Sequence, residues 1–108
     1  MIDSPSKEIK QESSLQAKES FQKDLELRLD QLESEILKLR EKGEALKDDA
    51  QVQWDARLTE LESKRKSVRA KLTEVGHSTS EAWQDVKIGA QAAWNELDKA
   101  FHEAKAEF

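Results

Sequence analysis

Two histidines, one basic cluster and a scatter of carboxylates are the side chains of this 108-residue chain that bear first on chemistry. His102 stands beside Glu103 and one helical turn after Asp98, a spacing that places imidazole and carboxylate on one helix face. Such a pair could touch a metal weakly, but stable sites gather three or four ligands. His77 stands among turn-forming residues and reads as part of a turn rather than as a base. Adjacent acids such as Asp48-Asp49 arise from abundance in a chain with 23 Asp and Glu. The chain has no cysteine, which removes thiolate ligands, disulfides and thiol nucleophiles. Neither a glycine-rich phosphate loop nor a serine elbow is present. The expectation is a protein that is not an enzyme, with no catalytic, cofactor-binding or metal-ligating residues.

Lys64, Arg65, Lys66, Arg69 and Lys71 form the single basic patch. Residues 51–80 carry a balance of +2, flanked by −4 over residues 1–50 and −3 over 81–108. A nucleic-acid face normally shows a clear positive excess. Here neutralisation by neighbouring acids is the simpler account, and nucleic-acid binding is not favoured.

These residues must sit on helices. With three glycines and one proline, the chain lacks the punctuation that hairpins of a sheet require. Charged residues make up 38% and apolar residues 36%, and no run of about 18 apolar residues could span a membrane. Met1-Ile2-Asp3-Ser4-Pro5-Ser6 offers neither a basic start nor an apolar stretch, so a cytoplasmic protein is expected. Ser4-Pro5 reads as a helix cap followed by proline at the first helical position.

Leu25, Leu29, Leu32, Ile36, Leu39, Gly43 and Leu46 step by four and three, a heptad seam with six apolar positions of seven. Trp54, Leu58, Leu61, Arg65, Val68, Leu72 and Val75 repeat the pattern. Two steps of four through Ala50 join the runs, which amounts to a stutter near 47–54 in a helix filled with helix formers. One long helix over 21–75 is therefore expected, with residues 1–20 as a frayed helical N-terminal extension. The alternative is a cap at Asp48-Asp49, a hairpin at 47–50 and a three-helix bundle.

A turn over 76–80 follows. Gly76 suits a left-handed helix end, and Ser78 with Glu81 has the spacing of a capping box. From 81 to 108 the period becomes eleven: Ala82-Trp83, Ala93-Trp94 and Ala104-Lys105 recur in step. Val86, Ala90, Ala93, Leu97, Phe101, Ala104 and Phe108 share one face. Trp83, Trp94 and Phe101 border it on one side, and Ala82, Gly89 and Ala100 border it on the other. Ile88 falls on the opposite, polar face.

A turn centred at residues 77 and 78 sets Trp54 beside Phe101, Leu58 beside Leu97, Leu61 beside Trp94 and Leu72 beside Trp83. Val86 joins this packing. Arg65 would lie over Gly89 and Ala90, and the basic cluster near Glu81 and Asp85. The fold class expected is all-α: a long helix with an antiparallel C-terminal helix, a helical hairpin or coiled coil. Leu25, Leu29, Leu32, Ile36, Leu39 and Leu46 then have no partner within the chain. They form an oligomerisation seam for further copies of it.

The array Ser80-Glu81-Ala82-Trp83-Gln84-Asp85-Val86-Lys87-Ile88-Gly89, followed by Ala93-Trp94-Asn95-Glu96-Leu97-Asp98-Lys99-Ala100-Phe101, resembles a C-terminal signature of small bacterial coiled-coil proteins. These occur in cyanobacteria and proteobacteria, some of them named as a stress-response family. The likeness extends upstream through Trp54 and Leu61–Lys66, covering roughly residues 21–108. It implies an all-helical, oligomeric, non-enzymatic cytoplasmic protein and carries over no catalytic residue. The function expected is a scaffold or interaction protein, made under stress, with itself and an unidentified protein as partners. The alternative is a lipid-surface protein using the face of 81–108. That face is net negative and rich in alanine, whereas interfacial helices favour lysine and arginine beside bulky apolar residues. A membrane surface is therefore not the favoured partner.

Overall fold

Gly43 ends the first run of heptads, and that ending decides the architecture. A computed structural model describes the backbone of residues 4–107, with side chains from Leu15 to Glu107. Helix α1 spans Ser4–Gly43, α2 spans Asp48–His77 and α3 spans Trp83–Lys105. Among the described residues there is no strand. Residues 1–3 of the expected frayed extension, and Phe108 of the eleven-residue stripe, lie outside the described residues. The backbone of 4–20 is helical.

The chain turns at 44–47 instead of running through the stutter as one helix. Arg40 and Lys42 occupy the last turn of α1 and Asp48 and Asp49 the first turn of α2, so both helix ends carry charge that complements their dipoles. Leu46 N–H donates to the Gly43 carbonyl at 3.0 Å, closing the turn. Lys47 is extended at the α2 N-cap, and Asp48 adopts a left-handed φ of 58°. The three-helix alternative is thus the fold observed.

The three helices run up, down and up as a rod measuring 74 × 19 × 18 Å. Leu25, Leu29, Leu32, Ile36 and Leu39 are 0–7% exposed, covered by α2 and α3 of the same chain, with Leu46 packed at the edge of this core. The oligomerisation seam expected from the heptads is therefore an internal one. The physical reason is tethering: a four-residue turn holds α2 against α1 at an effective concentration in the millimolar range or above, which a free copy rarely matches.

The end of α2 also differs from expectation. Gly76 is helical with ordinary φ, and α2 continues through His77. The capping box at Ser78 and Glu81 does not form. Ser78 Oγ donates to the Val75 carbonyl at 2.7 Å, while Thr79 Oγ1 accepts from Ala82 N–H at 3.1 Å. Thr79 is thus the capping residue of an irregular turn that precedes α3. The connection spans 78–82 instead of 76–80, the same length displaced by two residues, and this shifts the α2–α3 register. Lys64 faces Glu96 and Arg57 faces Glu103, about five residues further along α3 than a turn at 77 and 78 implies.

The face assignment of α3 stands: Ala90, Leu97 and Ala104 have no exposed surface, Trp83 and Phe101 are buried, and Ile88 is exposed. Trp54, Leu61 and Leu72 are buried, with Leu58, Val86 and Trp94 packed partly against them. Burying each large side chain is worth about 1.5–3 kcal/mol, so this stripe holds the fold. The surface charges do other work.

Candidate functional site

A chain of alternating charges runs along the α1–α2 edge. Arg69 reaches Asp30 at 3.4 Å and Glu33 at 2.7 Å; Arg65 reaches Glu33 at 2.7 Å and Glu62 at 2.9 Å; Arg40 reaches Glu62 at 2.9 Å. Heptad spacing places Glu33 and Arg40 on one flank of α1, and the antiparallel pairing brings the arginines of α2 opposite. The bond from Arg65 is the main cause holding the Glu62 carboxyl below the ordinary carboxylate range, and it raises the Arg65 guanidinium in turn. Half-exposed pairs of this kind contribute about 0.2–1 kcal/mol each, enough to select a register.

Arg65 therefore faces α1 rather than Gly89 and Ala90. Gly89 is covered instead by the aliphatic stem of Lys71 at 3.8 Å from the position of an added Cβ. The expected meeting of the basic cluster with Glu81 and Asp85 does not occur. Lys64 pairs with Glu96, Lys71 with Glu74, and both arginines with α1.

At the far end of the rod, Lys18 Nζ donates to the Ser78 carbonyl at 2.6 Å, so the α2–α3 turn lies level with Lys18. Phe21 and Trp83 pack with ring centroids 6.3 Å apart, and Lys87 Nζ stands 5.6 Å and 5.5 Å from the two rings. The backbone of α1 continues from this level to Ser4, a further 20 Å or so at 1.5 Å per residue. Leu15 occupies the same heptad position as Gln22 and Leu29, yet it is 45% exposed, because the other two helices have ended.

Between the parallel helices α1 and α3 lie two open clefts. One, of about 340 Å³, is lined by Glu35, Lys38, Leu39, Lys42, Phe101 and Lys105. The other, of about 310 Å³, is lined by Phe21, Asp24, Leu25, Arg28, Gln91, Trp94 and Asn95. Sequence reading missed both, since it gave α1 and α3 no shared edge.

The histidines lie far apart. His77 ends α2, exposed, while His102 sits late in α3 with Nε2 3.3 Å from Asp98 Oδ1. Among the described residues no group of three His, Cys, Asp or Glu side chains converges. No helix among them is long and apolar enough to cross a membrane. Comparison with protein-family models, with curated proteins and with solved structures finds no match.

Proposed function

We propose that the chain is a non-enzymatic helical scaffold that works as a closed bundle, through its outer surface and in association with further copies of itself. What supports this reading above all is the way α1 runs on past the α2–α3 turn as a helix. A helix of about a dozen residues is marginal in water without a packing partner, so a projecting helical end suits contact with another protein. A role in stress and a cytoplasmic location, both implied by the resemblance, belong to the same proposal.

The lipid-surface alternative is weaker on this geometry. Trp83, Leu97 and Phe101 are 0–4% exposed, so α3 would have to leave α2 before its apolar face met a bilayer. The deciding experiment is co-sedimentation with anionic vesicles, together with solution mass. The scaffold reading expects no vesicle binding, no blue shift of tryptophan emission and a mass above 12.4 kDa. Vesicle binding with a blue shift would overturn it in favour of lipid.

A further inference from the structure

The two α1–α3 clefts are related by the heptad. Phe21, Asp24, Leu25 and Arg28 in one correspond to Glu35, Lys38, Leu39 and Lys42 in the other, each fourteen residues further along. Inverted about Gln31, rather than shifted by fourteen, two pairs of charges are opposite. Asp24 and Lys38 oppose in sign, as do Arg28 and Glu35, and Gln31 lies midway on the same outward stripe as Asp24 and Lys38.

From this we infer that a second copy of the chain covers the α1–α3 face, with the two α1 helices antiparallel and a two-fold axis near Gln31 and Leu32. In that arrangement Arg28 of each copy meets Glu35 of the other, and Asp24 meets Lys38, so two pairs of opposite charge form on each side of the axis, with Lys42 set near Phe21. Flanking positions of a helical seam set partner choice and orientation in this way. A parallel arrangement would instead set Arg28 against Arg28 and Glu35 against Glu35, which disfavours it.

The groups needed are available. Glu35 and Lys38 make no ion pair among the described residues, and Arg28 has only the exposed pair with Asp24 one turn away at 3.1 Å. Leu25, Leu39 and Phe101 form the floor, and half-buried Trp94 walls one cleft. The inference rests on the self-association just proposed and assigns its surface.

The test is charge reversal with rescue, on the full chain by sedimentation equilibrium. Glu35→Arg should weaken association about tenfold or more, because two attractive contacts become repulsive. Arg28→Glu combined with Glu35→Arg should restore it. The chain has no cysteine, so Gln31→Cys should give a disulfide-linked dimer on mild oxidation, and Val52→Cys, exposed on α2, should not. Assembly that survives Glu35→Arg, with no cross-link through Gln31→Cys, overturns this surface and leaves self-association standing. A wild-type chain that stays monomeric at its highest soluble concentration overturns both.

Discussion

The indole of Trp54 occupies the space that a Cβ on Gly43 would need, with Nε1 and Cδ1 directly in its path. The end of α1 and the start of α2 are therefore in contact because one residue has no side chain. Alanine normally improves a helical glycine by about 0.5–1 kcal/mol. At Gly43 overpacking of about 1–3 kcal/mol opposes that gain, so Gly43→Ala should lose about 1 kcal/mol or more. Urea unfolding would read the loss, and a stabilised variant would show that Trp54 does not press on this site.

Gly89 reverses the sign. An added Cβ there meets only the flexible Lys71 side chain at 3.8 Å, an ordinary contact. Gly89→Ala should raise stability by about 0.5–1 kcal/mol, so one chemical change moves the unfolding midpoint in opposite directions at the two positions.

Leu32→Lys together with Leu39→Lys separates the two readings of the heptads. In a seam between copies the pair would dissociate folded chains. Here both side chains are at most 7% exposed within one chain, and burying two unpaired ammonium groups should unfold it, with loss of helical circular dichroism. Leu15→Lys, outside the bundle, should stay within about 0.5 kcal/mol of wild type.

Acid should act through the charged edge of α1 and α2. The carboxyl of Glu62 is held below its ordinary value of 4.5, chiefly by the Arg65 hydrogen bond. A depressed folded value means that its stabilisation is present above the unfolded value and is lost as pH falls through the folded one. Glu62→Gln should therefore be less stable than wild type near neutrality, and the difference should shrink on acidification below about pH 4.5. A gap independent of pH would show that the carboxylate charge contributes nothing.

Asp48 has a φ of 58°, in the left-handed region that side chains resist. Aspartate tolerates this better than a β-branched residue. Asp48→Val should cost about 1–2 kcal/mol, seen as a lowered thermal midpoint, with Asp48→Gly close to wild type.

Helical class, the apolar face of α3 and nearly every core position were legible in the sequence, because period and residue type report burial directly. The tertiary assignment of the α1 seam was not: a leucine stripe looks the same whether its cover comes from the same chain or from a copy. Gly43 fits a heptad position and a helix end equally well, and only its contact with Trp54 separates the two. The α2–α3 register slipped because α2 runs on through His77 and α3 begins only at Trp83, which carries the centre of the turn from residues 77 and 78 to residue 80 and moves every opposite pair by about five residues. The α1–α3 clefts depend on the chain folding back twice, which periodicity does not encode.

Up–down–up topology has a mechanical consequence. The chain enters α1 at one end of the rod and leaves α3 at the other, so tension drawn between its ends slides helices lengthwise past one another. Sliding loads the whole buried stripe at once, whereas peeling would break it one layer at a time. A force applied along this axis should therefore meet a stiff strut, with resistance set by the length of the shared leucine, tryptophan and alanine layers rather than by any single contact.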